Sequence, residues 1–224
     1  SGPETEMDFY DEENQHKLLI AFEMPDANTA DNFSGKYVQE NTYTFDKDLF
    51  ENCQDNVSLH GFFQTEKYFK HIENEIRKDF TFKKDWLEPC KECIEGNEYI
   101  GLHIRRTDYV QKQNYHPLCT LEYYEKALKK LPDTKVIIVS DDPEWCENQS
   151  LFESDRFLVS GSKNNIIDMC ILSLCKYHVI ANSSFSWWGA WLAESQKVIA
   201  PKVWFGSHAN LDESDIVPEN WERI

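Results

Sequence analysis

Two adjacent arginines, Arg105 and Arg106, are the residues of this chain best suited to chemistry. The 224-residue sequence has only five arginines against a net charge of −17, and these two follow the apolar run 99–102. A guanidinium presents a planar fork of donors that pairs bidentately with phosphate oxygens. The pair therefore predicts a phosphate-binding site. A structural ion-pair cluster with Asp108 is the alternative that the residues leave open.

A second candidate anion site follows a strand predicted over residues 178–181. Asn182, Ser183 and Ser184 open the next predicted helix, where unpaired backbone N–H groups and hydroxyls attract negative charge. Simple N-capping by Ser183 or Ser184 is compatible with that role. We predict that this turn binds a diphosphate.

Two more side chains have types that suit the remainder of such a ligand. His103 lies on the same side of its predicted strand as Arg105, because side chains alternate along a strand. Either it bonds a nucleotide or it is a structural histidine. Asp168 begins an otherwise apolar helical stretch, where its two oxygens match the N1–H and N2–H donors of guanine. Stabilisation of the helix dipole is the competing account of Asp168.

The elements that would position these residues alternate regularly after residue 97. Apolar runs predict strands at 98–104, 136–139, 157–159, 178–181 and 197–200, with helices between them. Asp142 suits the N-cap of one helix and Pro143 its first position. Such alternation is typical of an α/β fold with a parallel sheet and helices on both faces. The loops 103–110, 140–143 and 181–187 then converge on one edge of the sheet.

The residues before 97 have a less regular pattern and predict a smaller, helical or mixed segment. Thr65 suits the cap of a helix with apolar positions through Phe80, and Asp85 suits the cap of another. Ser1 to Met7 resembles the remnant of an expression tag. The tryptophans of the 184–193 helix are expected in the core, since aromatic rings on amphipathic helices pack inward.

Composition excludes several classes of function. The acidity of the chain argues against nucleic-acid binding, which depends on a basic surface. No apolar run reaches the length of a membrane span, and the start of the sequence lacks a secretory pattern. Seven cysteines in a chain of this size indicate reduced thiols and a cytoplasmic location, free or peripheral to a membrane. Asp141 and Asp142 lack Asp-x-Asp spacing, so capping and loop shaping, or contact with the nucleotide, are expected of them rather than metal binding.

Four segments in this order resemble the α-1,2-fucosyltransferase family. They are Gly61–Phe69, His103–Tyr109, Ser140–Cys146 and Asp168–Trp191, the last containing Asn-Ser-Ser-Phe-Ser-Trp-Trp-Gly-Ala-Trp. The resemblance implies transfer of L-fucose from GDP-fucose to a hydroxyl of an oligosaccharide acceptor, with inversion and without metal or other cofactor. It also implies a GT-B-like pair of Rossmann-type domains. The Gly-Gly-Leu-Gly-Asn-Gln stretch that opens such proteins does not occur here.

Together with the residue patterns above, the resemblance divides the chain and suggests roles within it. A tag remnant would occupy residues 1–7, a truncated N-terminal segment 8–96, and the Rossmann-like donor domain 97–224. Arg105 would stabilise the departing diphosphate, and Arg106 would contact the same phosphates or hold the loop. Asp108 would act as the base for the acceptor hydroxyl or orient an arginine.

The family match favours guanine for Asp168 and leaves other readings of the function open. One is a non-catalytic or truncated module that binds a GDP-sugar. Another is a transferase of the same fold that uses a different nucleotide sugar. The acceptor sugar and the oligomeric state do not follow from the sequence.

Overall fold

The computed structural model describes residues 20–24, 35–94 and 98–224. The strands are β1 (Lys36–Gln39), β2 (Val57–His60), β3 (Ile100–Ile104), β4 (Val136–Ser140), β5 (Phe157–Val159), β6 (Tyr177–Val179), β7 (Lys197–Ala200) and β8 (Glu222–Arg223). The α-helices are α1 (Lys47–Asn52), α2 (Glu73–Asp79), α3 (Lys84–Ile94), α4 (Thr107–Gln111), α5 (Leu121–Leu128), α6 (Pro143–Glu147), α7 (Asn165–Leu174) and α8 (Ser184–Leu192). Among these helices none is long and apolar enough to cross a membrane.

Six strands form one sheet in the order β5-β4-β3-β6-β7-β8, with every neighbouring pair parallel. The chain runs from β3 outward to β5 on one side, then returns to build β6, β7 and β8 on the other. The strand order therefore reverses between β3 and β6. Open α/β sheets bind ligands outside the carboxyl ends of the strands at such a reversal.

Helices cover both faces of this sheet, as the continuous apolar strands predict. On one face Ile100 of β3 packs in a core with Tyr124 of α5. On the other, Ile137 of β4 packs in a core with Ile171 of α7. The Rossmann-like sheet with helices on both faces is confirmed.

The segment before residue 97 is only partly separate from that sheet. Helix α3 packs against α7, and Cys90 of α3 shares a buried core with Cys170. Phe22 pairs with Phe82 in the same core. Strands β1 and β2 form a small parallel sheet of their own. The boundary between residues 96 and 97 stays a prediction, and the tag remnant at 1–7 falls outside the described residues.

Two capping predictions in this segment need correction. Thr65 caps a 3₁₀ turn at Glu66–Tyr68, not an α-helix that continues to Phe80; a second such turn and then α2 follow. The helix is interrupted at Phe69, whose φ of −132° and ψ of 1° are not helical. Asp85 lies inside the first turn of α3 and does not precede it.

Candidate functional site

The loop after β3 is held in place by a carboxylate from the loop after β4. Asp141 Oδ1 accepts the backbone N–H of Arg106 at 2.8 Å, and Oδ2 accepts that of Thr107 at 3.1 Å. The Thr107 hydroxyl also donates to Oδ2. One side chain thus satisfies the backbone at the point where the strand ends. The loop shaping expected of Asp141 is confirmed, and it acts on the loop of the arginine pair.

Arg105 lies between two carboxylates at this edge of the sheet. Its Nη2 contacts Asp108 Oδ1 at 2.7 Å and its Nη1 contacts Asp141 Oδ2 at 3.1 Å. The side chain remains 35% exposed, so the guanidinium is oriented and still reachable from solvent. The structural ion pair with Asp108 is therefore real. The same guanidinium is still exposed to solvent at the strand order reversal, so the ion pair does not exclude ligand binding.

Arg106 points to a different set of partners. Its Nε contacts Asp142 Oδ2 at 3.0 Å, and its guanidinium carbon lies 3.8 Å from the ring centroid of Trp145. Asp142 also caps α6, accepting from the Trp145 N–H with Pro143 at the first turn, as predicted. These contacts support the loop-holding alternative for Arg106. The aromatic partner of Arg106 gave no signal in the sequence.

The turn at Asn182–Ser184 brings a helix N-terminus to the other side of the reversal. Ser183 is the N-cap residue of α8, and its side chain makes no capping hydrogen bond. By contrast, Thr120 and Asn164 cap α5 and α7 through their side chains. Ser183 is half-buried and Ser184 is exposed. The positive end of α8 is therefore presented without an internal side-chain acceptor, which favours an anion there.

The side chain of Asn182 is committed to protein partners. It is 2% exposed, and its Nδ2 donates to the Trp204 carbonyl at 2.9 Å. Its Oδ1 accepts from the Cys119 thiol at 3.7 Å. These contacts give Asn182 a positioning role. The diphosphate assignment at this residue then rests on the backbone of the turn and on the two serines that follow.

Tyr109 joins the two loops, a role that the sequence pattern did not reveal. Its hydroxyl donates to the Asn182 carbonyl at 3.0 Å. Burial raises the pKa of Tyr109 to about 12, an effect that the Arg105 charge opposes, so the phenol stays protonated and can donate. A buried hydrogen bond thus ties the end of β3 to the end of β6.

His116 lies on the same loop as Tyr109, and the sequence pattern did not predict a role for it either. Its ring stacks on Tyr109 with centroids 4.8 Å apart and an interplanar angle of 18°. Burial lowers the pKa of His116; the Asp108 charge opposes this, and the charges of Lys112 and Arg105 reinforce it. The imidazole is therefore neutral near pH 7. Its placement beside the Arg105–Asp108 pair makes it a candidate proton acceptor.

His103 is the buried histidine of the site. It is 4% exposed, and its Nδ1 has no hydrogen-bond partner among the described residues. Its ring lies 5.4 Å from that of Phe185, in the first turn of α8. Burial is the main cause that lowers the pKa of His103 to about 4, with Asp141 opposing and Arg105 reinforcing it. The ring is neutral and its Nδ1 is free to bond, but this atom is buried, so a ligand reaches it only when neighbouring side chains move.

Asp168 lies at the same edge, two strands away from Arg105. Its Oδ1 accepts from the hydroxyl of Ser160, which follows β5, at 2.7 Å. Burial raises the pKa of Asp168, and the Ser160 hydrogen bond acts in the opposite direction. It lies in the first turn of α7, so the helix-dipole account is also satisfied. The structure brings Asp168 to the edge without placing it in contact with the arginines.

The tryptophans of α8 pack in the core, and two clefts lie elsewhere on the protein. Trp187 and Trp191 are buried, and Trp188 stacks on Phe69 and Phe80, which confirms their expected place in the core. Two clefts of about 310 and 290 Å³ are lined by residues 65–70 with 214–220 and by residues 36–57. Neither cleft is lined by the arginine pair or by the turn at Asn182–Ser184. In the described part of the chain, no group of three or more His, Cys, Asp or Glu side chains could hold a metal ion.

Comparison with known proteins adds a family match. A family model described as Glycosyl transferase family 11 matches residues 15–224. An alpha-1,2-colitosyltransferase of Escherichia coli is 35% identical over 195 residues, covering 80% of this chain and 67% of that protein. The O-antigen biosynthesis glycosyltransferase WbnK of Escherichia coli is 31% identical, covering 79% and 65%.

More distant matches also cover most of this chain. The galactoside alpha-(1,2)-fucosyltransferase 1 of Rattus norvegicus is 22% identical over 206 residues, covering 74% of this chain and 55% of that protein. The crystal structure of fucosyltransferase NodZ from Bradyrhizobium aligns with a TM-score of 0.46 at 15% identity, covering 67% of this chain and 57% of that one. The chain thus spans about 55 to 67% of the length of the three curated relatives named here.

Proposed function

The chain belongs to glycosyl transferase family 11, and from that premise we propose that its sheet edge binds GDP-fucose. The fucosyl group would pass, with inversion, to a hydroxyl of an oligosaccharide acceptor. We also propose that the described sheet is the donor half of a GT-B-like enzyme. A GDP-linked colitose is the alternative donor for the same reaction, favoured by the name of the 35% identical relative.

One observation supports the proposal more than any other. An oriented, reachable guanidinium on Arg105 stands across the strand order reversal from the positive end of α8. Breaking the bond between sugar and diphosphate places negative charge on a β-phosphate oxygen. A fixed cation and backbone N–H groups aimed at that oxygen stabilise it most where charge develops. Arg105 would therefore lower the barrier to departure of GDP, and Ser183 and Ser184 would hold the phosphates.

The guanine end of the donor would lie towards β5. Neighbouring strands are about 4.8 Å apart, so Ser160 after β5, which donates to Asp168, lies roughly 10 Å along the edge from Arg105 after β3. That span suits a ribose and an α-phosphate between the base and the β-phosphate. The Asp168 carboxylate would accept from guanine N1–H and N2–H. His103 would contact the nucleotide through its unpaired Nδ1 once donor binding exposes that atom, which is buried in this structure.

The acceptor hydroxyl needs a base within hydrogen-bond reach. Asp108 is already paired with Arg105 at 2.7 Å, which favours the orienting role for that carboxylate. His116 is the alternative base, since burial keeps its ring neutral and it lies beside the pair. The reaction would proceed without metal or other cofactor. EDTA should leave turnover unchanged, and dependence on a divalent cation would contradict this part of the proposal.

A binding module without transfer activity is the second candidate function. The observation that favours it is the contact of Asp108 with Arg105 at 2.7 Å, which occupies the carboxylate that could otherwise act as the base. Titration calorimetry with GDP, GDP-fucose, GDP-mannose and UDP-sugars, alongside a transfer assay, separates the two. Binding of GDP-fucose with no transfer would favour the module. If UDP binds as well as GDP, the guanine assignment to Asp168 fails.

A cytoplasmic setting is proposed with the function. All seven cysteines are free thiols in the structure. Free thiols are typical of compartments that glutathione and thioredoxin keep reducing. Alkylation of the native and unfolded protein under non-reducing conditions would test it: seven reactive thiols after unfolding are expected, and fewer would contradict a reduced state.

A further inference from the structure

Three aromatic side chains from distant parts of the chain meet beside the candidate site. Tyr43 and Phe62 stack with ring centroids 5.2 Å apart and an interplanar angle of 23°. Phe205, which follows β7, meets Tyr43 edge-on at 6.0 Å and 80°. We call Tyr43, Phe62 and Phe205 the aromatic platform. Phe62 is 45% exposed although one of its faces is stacked on Tyr43, so part of the platform is reachable from solvent.

The platform adjoins the loop that carries the proposed diphosphate site. Phe205 follows Trp204, whose carbonyl accepts from the Asn182 side chain at 2.9 Å. Glu213 Oε2 accepts the backbone N–H groups of both Trp204 and Phe205, at 2.8 and 2.9 Å. β7 is the strand next to β6 in the sheet. The platform therefore stands one strand beyond the strand order reversal.

The turn that carries Phe62 is held by hydrogen bonds to the buried carboxylate of Glu40. Glu40, only 7% exposed, accepts the backbone N–H groups of Phe62 and Phe63 at 2.9 Å each. Its other oxygen accepts from the Tyr68 hydroxyl at 2.9 Å. A Cβ at Gly61 would lie 2.4 Å from the Glu40 Cβ, so glycine is required there.

The next residue in the turn carries backbone strain. Phe63 has a φ of 47°, in the left-handed region that a bulky side chain rarely adopts. Strain of this kind persists where the surrounding structure imposes it, and it concentrates at sites that bind ligands. Here a buried carboxylate imposes it. The strained turn holds the exposed ring of Phe62 in place.

We propose that the aromatic platform is an acceptor subsite, on which the apolar face of a terminal sugar ring stacks. This inference rests on the proposed function, since an acceptor must lie beside the donor phosphates. Aromatic rings with a few polar groups are the usual lining of small-molecule sites. Three rings supply far less than the ~800 Å² per partner of a stable protein interface. A saccharide is therefore the occupant that the size and position of the platform favour.

The sugar ring chosen as probe is galactose, presented as lactose. The C3, C4 and C5 hydrogens of galactose form one apolar face, which would lie on the platform. The measurement is saturation-transfer NMR of lactose with GDP present. When the aromatic protons of the protein are irradiated, H3, H4 and H5 of galactose should receive more saturation than the glucose protons. If no saturation reaches the galactose protons, or if the galactose and glucose protons are saturated equally, the proposal is overturned.

Matched variants locate the contact. Phe62→Ala and Tyr43→Ala should each weaken lactose binding roughly tenfold, the size of one aromatic stacking contact. Phe50→Ala is the control, because Phe50 is also exposed, at 40%, on α1 of the same segment but lies outside the platform. Phe62→Leu keeps apolar bulk without a ring face, so it serves if the alanine variant unfolds. Unchanged lactose affinity in the folded Phe62 and Tyr43 variants would overturn the proposal.

GDP titration of the same proteins separates this inference from the proposed function. GDP affinity should be equal in wild type, Phe62→Ala and Phe50→Ala. A wild type that does not bind GDP would refute the proposed function itself. Normal GDP binding in every protein, with lactose binding insensitive to Phe62 and Tyr43, would refute the platform alone.

Discussion

The Tyr109 hydroxyl donates a 3.0 Å hydrogen bond to the backbone carbonyl of Asn182. Tyr109 belongs to the helix after β3, and Asn182 to the turn after β6. The bond therefore fixes the separation of the two loops between which the strand order reverses. Arg105 and the N-terminus of α8 stand on these two loops, so their spacing depends on this contact.

Tyr109→Phe removes that hydrogen bond and leaves the buried Asn182 carbonyl without it. We expect the free energy of unfolding to fall by about 1–2 kcal/mol, the cost of an unsatisfied buried acceptor. GDP affinity should fall as well, because the loop after β3 and the turn after β6 are no longer joined by this hydrogen bond. Urea denaturation and calorimetry measure both. Tyr115→Phe, on an exposed ring of the same loop, should change neither; equal effects of both variants would contradict the assigned role.

Arg106→Gln should affect stability more than binding. It removes the contact with Asp142 and the stacking on Trp145, and we expect a loss of about 1–2 kcal/mol in free energy of unfolding. Arg156→Gln is a matched change of charge: Arg156 also contacts an aspartate and lies 5.6 Å from an aromatic ring. GDP affinity should change little in either variant. A loss of GDP affinity confined to Arg106→Gln and larger than its loss of stability would instead favour phosphate contact.

The two candidate bases differ in the pH dependence they would give. If His116 accepts the proton, the rate should fall as pH drops through a pKa below 6.5, since burial lowers the pKa of that ring. His116→Gln should abolish most of the rate, and the remaining rate should no longer fall at acidic pH (the acid limb of the pH–rate profile). Asp108→Asn should lower the rate while GDP affinity stays nearly constant. An acid limb that persists in His116→Gln and vanishes in Asp108→Asn would assign the base to Asp108.

Buried histidines predict how stability depends on pH. Burial lowers the pKa of both His103 and His178 to about 4, below the ordinary value of 6.5. The unfolded chain therefore takes up protons first, so stability is full above pH 6.5 and falls between about 6.5 and 4. Each histidine contributes a slope of up to about 1.4 kcal/mol per pH unit. His103→Asn should reduce the slope measured by urea denaturation at several pH values; an unchanged slope would show that His103 protonates normally in the folded protein.

The sequence predicted those features that depend on local pattern. The strands β3 to β7 are short apolar runs between helical periods, so the parallel sheet and the edge where its loops meet followed from them. The cap at Asp142 followed from the Asp-Pro pair. Arg105, Asp141 and the turn at Asn182–Ser184 were therefore expected at one edge before any contact was known.

Contacts between residues far apart in the sequence could not be predicted from a local pattern. Residues 66–79 have helical spacing, yet Phe69 leaves the helical region and packs against the tryptophans of α8. The bond from Tyr109 to Asn182 joins positions 73 residues apart. The stacking of Arg106 on Trp145 and of Tyr109 on His116 likewise depends on how the loops meet. Tertiary packing decided these features, and propensity alone carries no information about them.

The central claim is that Arg105 binds the β-phosphate of a guanine nucleotide across from the N-terminus of α8. The most direct test compares GDP with GMP by titration calorimetry, in wild type and in Arg105→Gln. Wild type should bind GDP at least tenfold more tightly than GMP, because a charge-assisted contact to phosphate contributes about 1.5–3 kcal/mol. Arg105→Gln should lose most of that preference and retain GMP binding. An equal preference for GDP in both proteins would contradict the account.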